Sequence, residues 1–338
     1  MYVSKDGISQ NSDGRHMRNE ILVLENLKKY YYLKVGAFSE PAVLKAVDGV
    51  SLSVHKGEIL GLVGESGCGK STVGRCILAL EVPTEGSISF NGTQLNSLKK
   101  KALKSMRREC QIIFQDPFAS LNPKKRIRDI VGEPLIIHKV CKGKELDERV
   151  VHLLTMVGLH PDYMNRYPHQ FSGGQRQRIG IARAIALEPK FIVADEPISA
   201  LDISIQSQII NLMLELQERF NFTYLFIAHD LKIVQYISDR VAVMYMGKLV
   251  EIAPSKQLYE NPLHPYTRGL ISSILDPTET SKKRPERILL GEPPSSIHPP
   301  TGCSFHPRCS EKMGHCSREV PKMTHFNDHH LVLCHLYT

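Results

Sequence analysis

Apolar and polar residues alternate through "EILVLENLKKYYY" and "VLKAVDGVSLSVHKGEILGLVG", the two-residue period of strands, interrupted by glycine turns. The period changes after Lys70. Val73, Cys76, Ile77 and Leu80 recur at helical spacing, so a helix is predicted to start at the glycine-rich loop before them. "GSISFNG" reads as a short hairpin strand, and "RRECQIIFQDP" holds a buried strand that stops at Pro117. From about 118 to 188 the pattern is mostly helical and rich in Arg and Lys. "FIVADEP" and "TYLFIAHD" are short apolar strands ending in charged residues, separated by the long helix "ISIQSQIINLMLELQERF". Strands alternating with helices predict an α/β fold.

Composition changes the picture at one place. Beyond about residue 261, the chain holds ten of its 20 prolines, eight of its 15 histidines and four of its 8 cysteines. That marks 261–338 as a separate, loop-rich region following a domain over 19–260. Residues 1–18 are polar and read as a disordered extension, with Met17 as an alternative start. No apolar run approaches the ~18 residues that span a bilayer, and the opening has no apolar signal core. The protein is expected to stay in the cytoplasm. The net charge of +8 suits nucleic acid, acidic lipid or nucleotide, and equally a solvated basic surface.

The candidate chemistry begins with "GESGCGKST", Gly64 to Thr72, which matches G-x-x-x-x-G-K-[ST]. Backbone N–H groups across Gly64, Ser66, Gly67, Cys68 and Gly69 would turn inward around phosphates. Lys70 would reach the β- and γ-phosphates, Ser71 would offer its hydroxyl to Mg²⁺, and Thr72 closes the motif. The helix that follows aims its positive end at the anion. Asp195, at the end of "FIVADEP", suits Mg²⁺ held through water. Glu196 would then orient or deprotonate the attacking water. Alone, such a carboxylate pair reads as a turn or helix cap; beside a phosphate loop it reads as catalytic. "QFSGGQRQR" places Ser172, Gly173, Gly174 and Gln175 at a second helix start, either a plain cap or a second anion site. One nucleotide needs one phosphate loop, so a second site would act elsewhere.

These motifs together resemble the ABC-type ATPases: a P-loop NTPase fold with a RecA-like subdomain and a helical subdomain at about 118–188. The resemblance implies head-to-tail pairing, with ATP between the phosphate loop of one subunit and Ser172–Gln175 of the other. It implies that Gln115 in "FQDP" touches Mg²⁺ and the membrane partner, and that Ser199 and Asp202 in "SALD" contact across the dimer. His229 in "FIAHD" would sit at the γ-phosphate. Tyr31 would stack on adenine, with Tyr30 and Tyr32 as register alternatives. Phe171 stands where the family usually has Leu.

"QDPFASLNP", "NRYPHQFSGGQRQRIGIARAIALEPK" and "NPLHPYTRGL" resemble the oligopeptide/dipeptide importer branch, and "GEPPSSIHPPTGCSFHPRC" its C-terminal extension. The loop segments are closer to the F-type than to the D-type ATPase subunit. The implied machine sits peripherally on the cytoplasmic face of the membrane. It pairs this chain with a D-type ATPase subunit and two transmembrane permease subunits, and meets an extracytoplasmic substrate-binding protein only indirectly. Nickel or oligosaccharide is an alternative cargo. A soluble ABC ATPase acting on DNA or the ribosome is the rival class. One ATPase module, no long coiled-coil insertion and the importer-like tail argue against it, so no nucleic acid partner is expected. "KKKALKSMRR" reads as a solvated helix face or a contact for acidic lipid headgroups.

Cys303, Cys309, Cys316 and Cys334 follow the spacing C-x5-C-x6-C-x17-C. In a reducing compartment such a group suggests metal rather than disulfides. Structural zinc sites usually use C-x2–4-C pairs, which are absent. Iron–sulfur clusters accept wider spacing, and His306, His315 and His335 leave mixed ligation open. The importer resemblance implies a [4Fe–4S] cluster; zinc and no metal remain alternatives. Cys68 and Cys76 belong to the phosphate loop and its helix. A Pro-rich segment would gain folding free energy from a metal, so the group reads as a structural staple.

Overall fold

The central strands are apolar along their whole length because both faces of their sheet are covered. The computed structural model describes residues 20–33, 41–96, 98–273 and 291–338. The expectation for residues 1–18 lies outside them.

A first antiparallel sheet is built from β1 (Glu20–Leu33), β2 (Ala42–His55), β4 (Glu85–Phe90) and β5 (Thr93–Gln94), in the order β2-β1-β4-β5. The chain enters the second sheet at β3 (Ile59–Val63), turns through the glycine loop and starts α1 (Lys70–Ile77). Helix α2 (Lys100–Glu109) leads into β6 (Cys110–Ile113). A helical block follows: α3 (Ile127–Ile137), α4 (Lys144–Met156) and α5 (Gly173–Ile185), packed on one another through Ile130, Val131, Leu146, Val150 and Leu153. The chain then alternates β7 (Phe191–Asp195), α6 (Ile203–Phe220), β8 (Thr223–Ile227), α7 (Leu231–Ile237) and β9 (Arg240–Tyr245). Strands β6, β7, β8, β3 and β9 are parallel neighbours in that order. Leu60, Leu62, Val193, Leu225 and Ile227 face the first sheet and α1. Ile59, Val63, Ile192, Tyr224 and Phe226 face the core that includes the helical block. This alternation follows from the strand period of two.

The chain after 254 is not a free appendage. Strand β10 (Lys248–Pro254) pairs antiparallel with β9 and is followed by α8 (Ser255–Glu260) and α9 (Pro265–Ser272). Beyond residues 291–322, β11 (Met323–Asn327) and β12 (His330–Leu333) form a hairpin, and β12 pairs with β10. The C-terminal hairpin thereby extends the second sheet by two strands. Glu251 of β10 locks this edge. It is fully buried, accepts the N–H groups of Leu263 (2.7 Å) and His264 (2.9 Å), and lies 2.7 Å from Nε2 of the fully buried His330. The buried carboxylate is compensated by these two N–H donors and the His330 ring nitrogen.

His264 caps α9, with Nδ1 accepting the Tyr266 N–H at 3.0 Å, and makes a backbone hydrogen bond to Leu333. Burial lowers its pKa from 6.5 to about 4. Between those values the unfolded chain takes up a proton that the folded chain refuses, so stability rises with pH there and is lost on acidification. The loss should reach about 3 kcal/mol by pH 4. His264→Asn keeps a cap acceptor and does not titrate. Urea midpoints measured from pH 7 to pH 4 should fall less steeply in the variant; parallel profiles would remove His264 as the cause.

Candidate active site

The loop between β3 and α1 needs glycine for two separate reasons. Gly64, Gly67 and Gly69 adopt φ of 150°, 76° and 107°, a range that L side chains avoid. In addition, a Cβ on Gly64 would lie 2.1 Å from the Met244 carbonyl oxygen, and one on Gly69 2.1 Å from that of Ala46. The loop therefore sits tightly against β9 and β2, with Ser66 and Gly67 on its exposed crest. Lys70 is only 4% exposed and donates to the carbonyls of Gly64 (2.8 Å) and Glu65 (3.0 Å). Cys68 is buried beside it, and burial pushes its thiol pKa up.

Parallel pairing brings the other groups to the same edge. Ser71 Oγ donates to Asp195 Oδ1 at 2.8 Å. Burial raises the Asp195 pKa while the Ser71 hydrogen bond opposes the rise. The two oxygens are hard donors, the chemistry that Mg²⁺ takes. Glu196 adopts a left-handed φ of 46°, and its N–H donates to the Ile227 carbonyl at the end of β8 (2.9 Å). Such a conformation costs about 1–3 kcal/mol and persists only where neighbours impose it. Gln115 Nε2 donates to Glu196 Oε2 at 2.8 Å, and His229 Nδ1 lies 3.4 Å from the same oxygen. Ser199 Oγ donates to the Glu196 carbonyl at 3.1 Å. Gln115, Asp195, Glu196, Ser199 and His229 thus form one connected group next to Lys70 and Ser71.

Among the three tyrosines, Tyr31 contacts the loop side through a hydrogen bond with the Thr72 side chain. Tyr30 instead donates to Asp48, and Tyr32 is 64% exposed. Ser172 caps α5 in a reciprocal pair: its Oγ accepts the Gln175 N–H, and Gln175 Oε1 accepts the Ser172 N–H. Gly173 and Gly174 lie against Leu201 and Ile205 near the start of α6, where Asp202 stands exposed at the N-cap. A Cβ on Gly174 would come within 2.5 Å of Ile205 Cγ2. This glycine is needed inside its own chain, a constraint the sequence motif does not reveal. Phe171 is buried and meets Tyr163 edge-on.

The tail cysteines also meet. Cys303, Cys309, Cys316 and Cys334 line one small cavity with His264, Phe305 and His335, and none is in a disulfide. Burial pushes up the thiol pKa of Cys303, Cys309 and Cys334, the last to about 11. Cys68, Cys76 and Cys110 lie in the core beneath the first sheet and Cys141 in the opposite one. Glu65, to which the sequence assigns nothing, is gripped by Tyr266 and Arg308 from the C-terminal segment.

Residues 47–199 match the family model described as ABC transporter. The chain is 54% identical over 321 residues to the oligopeptide transport ATP-binding protein AppF of Bacillus subtilis, covering 94% of this chain and 98% of that one. The chain belongs to the ABC transporter ATPase family. Residues 250–316 of the ATPase match the model described as oligopeptide/dipeptide transporter, C-terminal region. The ATPase is also 47% identical over 311 residues to the dipeptide transport ATP-binding protein DppF of Haemophilus influenzae, covering 91% and 94% of the two chains. Its fold matches a dimeric, post-hydrolysis structure of the ATP-binding cassette MJ0796 bound to ADP and Pi. The TM-score is 0.62 at 31% identity, over 69% of this chain and 98% of that one.

The Gly174 contact is directly testable. Gly174→Ala should destabilise the ATPase by about 1–3 kcal/mol, as overpacking does, and Ile205→Ala added to it should recover most of that loss. A Gly174→Ala chain that melts with the parent would contradict the contact.

Proposed function

We propose that the chain is the F-type ATP-hydrolysing subunit of an ABC importer that energises uptake of oligopeptides or dipeptides. The names of its relatives and the importer-type C-terminal region support this over nickel or oligosaccharide cargo. The observation that carries the catalytic reading is the cluster of Gln115, Glu196 and His229 around one carboxylate oxygen, beside Ser71 and Asp195.

In this reading Lys70 and the loop N–H groups hold the triphosphate of ATP, and Tyr31 stacks on adenine. Ser71 and Asp195 would hold Mg²⁺, which neutralises charge on the β- and γ-phosphates when bound. Glu196 takes the proton of the attacking water, and His229 and Gln115 fix the carboxylate's orientation. Ser172, Gly173, Gly174 and Gln175 of a second ATPase subunit close over the γ-phosphate, while Ser199 and Asp202 line the same dimer contact. That subunit is read as a D-type paralogue. Two permease subunits dock on the helical block near Gln115, so closure of the ATP-bound pair moves them. The chain sits peripherally on the cytoplasmic face; no helix among the described residues is long and apolar enough to cross a membrane. An extracytoplasmic binding protein takes part indirectly, and no nucleic acid does. Glu196→Gln should bind ATP within about threefold of the parent yet hydrolyse it at least about 100-fold more slowly, the usual weight of a general base. Near-parental turnover would remove Glu196 from that role.

We read the cavity lined by Cys303, Cys309, Cys316 and Cys334 as the place of a [4Fe–4S] cluster, because four thiols converge there. Burial raises the thiol pKa of Cys303, Cys309 and Cys334, and a metal centre would supply the positive charge that makes thiolates. Among the described residues, the trio of ligand atoms within 4.8 Å of one another is His315, Cys316 and His335. The histidine–cysteine trio favours zinc as the second reading. Anaerobic purification should give brown protein with about four irons per chain, lost in Cys303→Ser but kept in His315→Ala. Colourless protein with zinc that disappears in His315→Ala would favour the second reading.

A further inference from the structure

The phosphate loop is held from outside by the cysteine-bearing segment. Arg308 stands next to Cys309, and its side chain is only 6% exposed. Its guanidinium forks onto Glu65, with Nη1 to Oε2 at 2.9 Å and Nη2 to Oε1 at 3.0 Å. Its Cζ lies over the Tyr245 ring, 5.9 Å from the centroid. The Glu65 N–H donates to the Tyr266 hydroxyl at 2.9 Å. Tyr266 in turn packs on Tyr245 (4.6 Å) and Phe305 (5.5 Å). Both the backbone and the carboxylate of Glu65 are therefore gripped by residues more than 200 positions later.

The charge arithmetic gives the grip a purpose. Glu65 immediately follows Gly64 in a loop built for anions, and an unpaired carboxylate there would repel a triphosphate. Arg308 cancels that charge, and its fork fixes the carboxylate in one orientation. The turn that carries Arg308, His306–Arg308, is built on backbone bonds from His306 to Cys303 (3.0 Å) and from Cys303 to Cys316 (2.8 Å). Where the cysteine loop goes, Arg308 goes with it.

We infer that Arg308 is a positioning residue for nucleotide binding, neutralising Glu65 and transmitting the integrity of the cysteine loop to the phosphate loop. Loosening the cysteine loop then lowers ATP affinity without altering any group that touches ATP.

The test is equilibrium binding of a fluorescent ATP analogue to the full chain. Arg308→Ala should weaken binding about tenfold, more at low salt than at high. Arg308→Lys keeps the charge and should stay within about threefold of the parent. Glu65→Gln combined with Arg308→Ala should restore affinity to that of Glu65→Gln alone, which loss of folding could not do. Cys309→Ser should weaken binding in the parent and change nothing further in the Arg308→Ala, Glu65→Gln background. The inference is overturned by parental affinity in Arg308→Ala, or by a loss that persists after Glu65→Gln.

Discussion

Parallel strand pairing places the carboxyl ends of β3, β6, β7 and β8 side by side on one edge, and the rest of the active site depends on that edge. Lys70 and Ser71 start the helix reached from β3, Gln115 follows β6, Asp195 ends β7 with Glu196 next to it, and His229 follows β8. Ligands of open α/β sheets bind at this place because helix starts and strand ends converge there. The register is held by two apolar layers that alternate along each strand. A one-residue slip in β7 would exchange Val193 and Ala194 between layers. It would also carry Asp195 away from Ser71. Precision in the site is therefore a consequence of packing several residues away from it.

The second organising contact is Glu251. By tying β10 to the start of α9 and to β12, it makes the importer-type C-terminal region part of the catalytic sheet. From that anchor the aromatic group of His264, Tyr266 and Phe305 reaches Tyr245 at the end of β9. Phe305 both lines the cysteine cavity and packs on Tyr266, whose hydroxyl accepts the Glu65 N–H. Residues 305–308 reach the phosphate loop because Phe305 packs on Tyr245 and Tyr266 while Arg308 binds Glu65.

What the sequence disclosed follows from the range over which each feature is written. The phosphate loop, Asp195 and the Ser172–Gln175 helix start are local patterns whose residue types suffice. The helix of 203–220 and the strands at 191–195 and 223–227 emerge because long periodicity or continuous burial leaves a clear apolar record. The hairpin of β11 and β12 does not, since β11 is mostly exposed and polar. The sequence favours Tyr31 among three adjacent tyrosines by motif position alone; their different partners, Thr72 for Tyr31 and Asp48 for Tyr30, come from the pairing of β1. The Gly174–Ile205 approach and the Arg308–Glu65 fork join positions far apart in the chain. No spacing rule encodes such pairs; only the folded arrangement does.

The central claim is that a working site needs Lys70 of one chain and Ser172 of another. Mixing two inactive chains tests it most directly. Lys70→Ala lacks the phosphate-binding lysine, and Ser172→Arg obstructs the partner's γ-phosphate. A mixed dimer of the two contains one site with both groups native. ATPase activity should be near background for each chain alone and return when they are combined, rising with total concentration. Mixtures that form dimers yet stay inactive would contradict a site shared between chains.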